Sequence, residues 1–263
     1  MPPQVINLSP DPAWYDAIAR RTSRRSYDSM PVDSAVLDRL AAAGSRFATS
    51  PLRARCEIVS AASESVFKGL FGSYGAVSGA PSFVAFIGPK NAQVDSGYLG
   101  EAVILEATLA GLGTCWVAGM FDAAKVAEHI ALAPDERVHS VTPLGYATTR
   151  MRGAEWAMHT LVRASTRKPL AVIAAGSDGW PQWAQAAAGA VRPAPSGGNG
   201  QPWRLRMNGD SLVIAQAPKA YWTAPIDCGI AMLHAELGAL HVGVRGSWEL
   251  LEAPDVARFT PLA

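Results

Sequence analysis

Pro195-Ser196-Gly197-Gly198-Asn199-Gly200-Gln201-Pro202-Trp203 is the stretch on which the reading of this 263-residue chain turns. Its glycines let a backbone come close to a flat ligand, and its serine, asparagine and glutamine offer directional donors and acceptors. The same letters also suit a plain surface turn. A second polar cluster stands far upstream, Arg20-Arg21-Thr22-Ser23-Arg24-Arg25-Ser26-Tyr27. Arginine forks and hydroxyls just past a helix are what a phosphate dianion needs. A solvated basic loop has the same composition, so neither stretch decides by itself.

Outward from these two loops, the composition narrows the classes. Hydrophobic residues make up 49% and charged residues 17%, as in a well-packed enzyme. The net charge of +1 lacks the basic excess of a nucleic-acid binder. Cys56, Cys115 and Cys228 lie far apart, which argues against a zinc site or a disulfide framework and for a reducing cytoplasm. Met1 to Pro12 is polar and has no apolar core of a signal peptide. The apolar stretch from Ala102 to Met120 is interrupted by Glu106 and glycines, too broken for a membrane span.

Periodicity predicts helices over Trp14 to Arg21, Asp33 to Ala43, Gly100 to Ala110, Ala123 to Ile130, Trp180 to Gly189 and Ile226 to Val242. Strand-type runs are Arg55 to Ser60, Ser82 to Ile87, Val138 to Leu144, Trp203 to Met207 and Ser211 to Gln216, with a strand start at Thr114 to Val117. Three echoes recur in the same order. Ala41-Ala42-Ala43-Gly44 matches Ala186-Ala187-Ala188-Gly189, Leu105 to Leu109 resembles Leu233 to Leu237, and Thr142-Pro143-Leu144 matches Thr260-Pro261-Leu262. Their order suggests an internal duplication. Two halves that cannot each bury an apolar face would pack on one another, with the helices near 100–110 and 226–242 as the seam. Ligand pockets favour such junctions.

The motifs together resemble the FMN-dependent nitroreductase family. Arg21-Thr22-Ser23-Arg24-Arg25-Ser26-Tyr27 is similar to its opening arginine element, followed by Pro31-Val32. Pro195 to Trp203 matches its Pro-Ser-x-x-Asn-x-Gln-Pro-Trp element at every defined position. Gly111-Leu112-Gly113-Thr114-Cys115-Trp116, Pro143 to Tyr146 and Arg167-Lys168-Pro169 are further points of likeness. The resemblance covers most of residues 14 to 262. It implies an α+β fold with mixed or antiparallel sheets flanked by helices.

The placement of the motifs departs from the family's usual order. Ordinary members carry the Ser/Asn element in the first half, where this chain has Phe47-Ala48-Thr49-Ser50-Pro51-Leu52-Arg53. The element stands instead in the second half, which lacks an arginine loop. The chain thus resembles a single-chain pseudo-dimer of two tandem halves, 1–170 and 171–263. It would keep one complete site, hold one FMN and remain a monomer.

By this resemblance Arg21, Ser23, Arg25, Arg167 and Lys168 attend the phosphate or pyrimidine end of the flavin. Pro195, Ser196, Gly197 and Asn199 lie along its ring. Gly119 and Met120 are candidates for the main-chain donor near N5. Gln201, Pro202 and Trp203 position the loop. NADH or NADPH would supply hydride, and a nitroaromatic, quinone or related small molecule would accept it. The cofactor carries this chemistry, so no catalytic side chain and no metal is assigned. The rival reading is a flavin-binding protein without turnover. His234 reads either as a lining residue or as a satisfied helix histidine, and Cys115 as packing. Ser196 lies in no Gly-x-Ser-x-Gly elbow. Tyr221 and Trp222 are candidates to shape the substrate pocket.

Overall fold

The computed structural model describes residues 5–47, 50–60, 65–67, 77–151 and 153–262, with Ala154 as backbone only. The central helices are the best place to begin, because their sequence dictates how close they come. α3 (Gln93–Leu109) and α8 (Ala224–His241) pack on each other in the middle of the molecule. Each is buried nearly all round, so neither shows the one-sided stripe of a surface helix. Two glycines set the crossing. A Cβ on Gly97 would stand 2.0 Å from the carbonyl oxygen of Ile226, and one on Gly229 would stand 2.0 Å from that of Val94. Only glycine admits backbone at that distance.

This close approach explains a misreading from sequence. The first turns of α3, with Asp95, Ser96 and Gly97, look like a loop, so the predicted start was Gly100. The helix begins at Gln93, because those residues are buried: Gly97 against α8, Asp95 beside Arg53 and Ser96 beside His139.

A four-stranded sheet lies on the outer side of α3. Its strands are β2 (Arg55–Val59), β3 (Ser82–Pro89), β4 (Gly113–Thr114) and β5 (Glu136–Gly145), in the order β2-β3-β5-β4. α2 (Ser34–Ser45) covers α3 and β2. It begins where Asp33 accepts the amide of Ala35 at 2.7 Å, an N-cap of the usual kind. On the other side, α8 rests on β6 (Trp203–Asn208), β7 (Ser211–Gln216) and β9 (Asp255–Pro261). With β8 (Gly246–Leu250) and β1 (Val5–Ile6) they form a sheet of order β1-β8-β9-β7-β6. α7 (Gln182–Val191) packs against α8. All named strand pairs are antiparallel, so of the expected mixed or antiparallel sheets the antiparallel kind is found. The parallel contacts are isolated bridges, Ser23 with Thr114 and Ser26 with Ser78.

The two sheets are assembled alike. α2-β2-β3-α3-β4-β5 and α7-β6-β7-α8-β8-β9 run helix, strand, strand, helix, strand, strand, with a short helix, Ala123–Ala127, inserted between β4 and β5 of the first series. The strand orders β2-β3-β5-β4 and β6-β7-β9-β8 then correspond position for position. β1 adds a chain crossing: residues near the N-terminus pair with β8 of the second sheet.

Several elements differ from the sequence reading. α1 (Trp14–Ile18) and α4 (Ala123–Ala127) are shorter than expected. Arg21 lies beyond α1 in the loop, its amide bonded to the carbonyl of Ala17 at 2.8 Å. β1, β8, β9, α5 (Gly153–Leu161) and α6 (Leu170–Ile173) have no counterpart in the sequence reading. β8 and β9 interleave Glu249, Arg258 and Thr260 with buried Trp248, Val256, Ala257 and Phe259. Ala48 and Thr49 of the first-half slot lie outside the described residues. Among the described residues, no helix is long and apolar enough to cross a membrane.

Candidate functional site

The arginine loop leaves α1 and is laid along the edge of the first sheet. Ser23 bridges to Thr114, and the amide of Arg24 donates to the Thr114 carbonyl at 2.8 Å. Buried Glu155 of α5 then sorts the arginines. It accepts the amide of Arg25 at 2.7 Å and the Nε of Arg24 at 3.0 Å, and the Arg24 fork also donates to the Thr148 carbonyl at 2.6 Å. Arg24 is thereby neutralised in place. Arg21, Ser23 and Arg25 line a polar cavity of about 300 Å³.

Pro195 to Trp203 closes that cavity from the opposite side. The loop holds a short 3-10 turn at Gly197–Asn199, and Asn199 and Gln201 sit at φ 57° and 47°, left-handed values that Asn tolerates better than most residues. Its polar side chains mostly tie the loop down. Ser196 Oγ accepts the Gln201 amide at 2.9 Å. Asn199 Nδ2 donates to the carbonyls of Arg163 and Thr166 at 2.7 and 2.9 Å. Gln201, 3% exposed, accepts the Lys168 amide at 2.8 Å. Arg167 donates to the carbonyls of Ala164 and Pro193 at 2.6 and 3.2 Å and to Asn199 Oδ1 at 3.2 Å. Arg167, Pro195, Ser196, Gly197 and Asn199 thus face Arg21, Ser23 and Arg25 across one space.

Lys168 is the exception among the expected residues. It lines neither this cavity nor the next, and its ammonium donates to the carbonyls of Gly200 and Gln201 at 2.6 and 3.1 Å. The side chain that could have reached a phosphate is spent on holding the loop.

The polar cavity opens into a second of about 570 Å³, with an apolar wall. Trp116, Gly197 and Gly198 belong to both linings, so the two are continuous. Gly119 and Met120 line the apolar part together with Tyr221, Trp222 and Asp227. A Cβ on Gly119 would meet the Trp222 ring at 2.4 Å, and one on Gly200 would meet Tyr221 at 2.4 Å. These glycines keep the slot's walls thin.

Behind the junction lies a buried cluster. Glu101 accepts from the Trp116 indole at 2.7 Å, faces His234 Nε2 at 3.0 Å, and has Arg21 Nε at 4.0 Å. His234 Nδ1 bonds to the Ala190 carbonyl at 2.9 Å. His234 is therefore a satisfied helix histidine, and Glu101 fixes the indole that joins the two cavities. Glu101 and Asp227 escaped the sequence reading because single acidic residues inside helices carry no motif.

The donor set fits an anionic, flat-ringed cofactor. Burial holds the Arg167 guanidinium below its ordinary pKa, and the nearby Arg21 and Arg192 push it further down. Like charges gathered in a half-buried recess call for a counter-anion. Among the described residues, no group of His, Cys, Asp or Glu is arranged to hold a metal ion.

Two antiparallel sheets enclosing paired central helices, with a polar-to-apolar crevice between them, define a nitroreductase-type α+β chain. Residues 13–239 match the model of the family described as "Putative TM nitroreductase", and the chain belongs to that family. A putative nitroreductase from Thermotoga maritima is 22% identical, with 94% of this chain and 92% of that chain aligned and a TM-score of 0.62. A nitroreductase family protein from Clostridium novyi NT aligns over 52% of this chain and 86% of its own at 20% identity, TM-score 0.43. A nitroreductase with bound FMN from Bacteroides fragilis aligns over 53% and 91% at 17% identity, TM-score 0.41. No curated protein sequence matches the chain.

Proposed function

We propose that this chain is an FMN-dependent oxidoreductase that passes hydride from NADH or NADPH to a nitroaromatic, quinone or related small acceptor. One observation carries the proposal: the arginine loop and the Ser/Asn loop, 170 residues apart in sequence, form opposite walls of one crevice. Arg21, Arg25 and Arg167 would hold the phosphate end, and the slot between Gly119-Met120 and Gly197 would take the ring. Bound FMN would supply a carrier for hydride. The residues supply an apolar slot, positive charge and fixed donors. Family membership supports the same reading.

The matched order of elements around the two sheets supports an internal pseudo-dimer of halves 1–170 and 171–263. With its interface satisfied internally, the chain is proposed to act as a monomer in the cytoplasm, with neither nucleic acid nor membrane as partner. One flavin per chain follows.

The test is spectroscopic. Purified protein should be yellow or take up FMN one to one, bleach with NADH or NADPH without oxygen, and regain colour with a quinone. Failure to take up FMN overturns the proposal. Uptake without bleaching favours a protein that only stores flavin.

A further inference from the structure

Asp227 stands in the first turn of α8, 3% exposed, in the wall of the apolar cavity. The Gly197 amide lies 3.2 Å from both its oxygens, and the Tyr221 hydroxyl lies 2.9 Å from Oδ2. The same hydroxyl is 2.7 Å from the Gly197 carbonyl. The hydroxyl carries one proton, which can point at either acceptor. When it points at the carbonyl, a proton on the carboxyl closes the contact with Oδ2. Burial raises Asp227 to about 7, against the lowering pull of Tyr221 and Gly197, so the acid form is populated at neutral pH. The ionised form is also provided for. Tyr221 can turn its proton to Oδ2, and the Gly197 amide stays in place. Proton release therefore leaves no bare buried charge.

We infer that Asp227 is the proton donor to the acceptor, with Tyr221 as the residue that positions it, and that the cavity takes quinones and other carbonyl compounds. The inference rests on the proposed function for its hydride. As hydride drawn from NADH or NADPH adds to a quinone, the quinone gains two electrons and the nicotinamide is oxidised. The developing oxyanion takes the Asp227 proton: one O–H bond forms on the product, and the carboxyl O–H bond breaks with its electron pair left on Asp227. Water then returns a proton, and the net change is quinone plus nicotinamide hydride plus one proton to hydroquinone plus oxidised nicotinamide.

The titration belongs to few groups. Tyr221 and Cys228 adjoin Asp227, and burial raises both above their ordinary values. At this level α3 presents Val94 and Gly97, while its Asp95 is turned to Arg53. α7 carries no ionisable residue. Glu101 and Glu236 lie farther along, engaged with His234 and with Tyr98.

The experiment compares wild type, Asp227→Asn and Tyr221→Phe. Infrared difference spectra of the flavin-free protein should show a protonated carboxyl band that fades as pH rises through about 7 and is missing in Asp227→Asn. In the loaded protein, the rate of reoxidation by a quinone is divided by that with ferricyanide, which takes electrons without a proton. That ratio should fall about a hundredfold in Asp227→Asn, within the usual range for a lost general acid. Tyr221→Phe should move the pH midpoint of the carboxyl band upward, because it removes a donor to the ionised carboxylate. Absence of the band in wild type, or an unchanged ratio in a flavin-loaded Asp227→Asn protein, overturns the donor and leaves the proposed function standing. A protein that takes up no flavin overturns both.

Discussion

Two loops occupy corresponding places in the two sheets' assemblies, and they have gone opposite ways. After α7, the amide of Gly197 donates to Asp227 in the first turn of α8. After α2, the amide of Arg53 donates at 3.1 Å to Asp95 in the first turn of α3. The backbone scheme is the same: an acid at the start of a central helix holds the loop that precedes it. The side chains differ. Arg53 folds its own guanidinium onto Asp95 at 3.2 Å and reaches Asn91 as well, so it fills the slot with an ion pair. Glycines at 197, 198 and 200 leave their slot open, and Tyr221 supplies a neutral hydroxyl in place of a charge. One place holds a strut and the other a cavity wall. The lesson is that a shared frame fixes where an acid sits, and the neighbour's side chain decides whether it can exchange a proton.

The largest expected effect tests the frame common to both. A Cβ on Gly97 or Gly229 would collide with the backbone of the facing helix. Gly229→Val should force α3 and α8 apart, costing about 3 kcal/mol or more, seen as a collapse of the thermal transition or loss of soluble protein. A variant that melts like wild type would show that the seam is looser than the crossing implies. Next comes the open slot itself. Arg21→Ala with Arg25→Ala removes two charge-assisted donors worth about 1.5–3 kcal/mol each, so FMN affinity should fall a hundredfold or more in a fluorescence titration. Unchanged affinity would place the phosphate elsewhere.

Much of this frame was legible from letters. The echoes at 41–44 and 186–189 fall in α2 and α7, those near 105 and 233 in α3 and α8, and those at 142 and 260 on β5 and at the end of β9. Arg21, Ser23 and Arg25 were readable as one wall because arginines just past a helix are a distinctive cluster, and Pro195 to Asn199 as the other by motif. Lys168 was not, since a basic pair does not say which member faces inward; its ammonium lies against the carbonyls of Gly200 and Gln201, with Arg204 as the cation acting on it. Glu155 and Asp227 were invisible because their roles arise from long-range packing: Glu155 meets Arg24 across 131 positions. The start of α3 was hidden for the same reason.

A middle-sized effect separates strut from wall. Arg53→Ala strips Asp95 of its guanidinium while leaving the carboxylate 2% exposed at its side chain. An abandoned buried partner costs about 1–3 kcal/mol, so denaturant midpoints should fall. Flavin uptake should not, because Arg53 lines neither the polar nor the apolar cavity. Loss of flavin together with stability would tie the filled slot to the open one and break the contrast drawn above.

The smallest effect is a shift in pH dependence. Burial raises the folded pKa of Asp227 to about 7, well above the unfolded value near 3.9. The folded state then binds the extra proton between those values. Its stabilising contribution is complete below the unfolded pKa and is lost as pH rises through the folded one. Tyr221 donates to the ionised carboxylate and so pulls the folded pKa down. Tyr221→Phe removes that donor and keeps the ring against Gly200. The folded midpoint must rise, and the decline of stability must extend to higher pH than in wild type. Denaturation midpoints measured from pH 5 to 9 would show this, with Asp227→Asn as the flat control. If Tyr221→Phe instead moved the midpoint down, the hydroxyl would be serving the acid form alone, and Tyr221 would be a strut like Arg53.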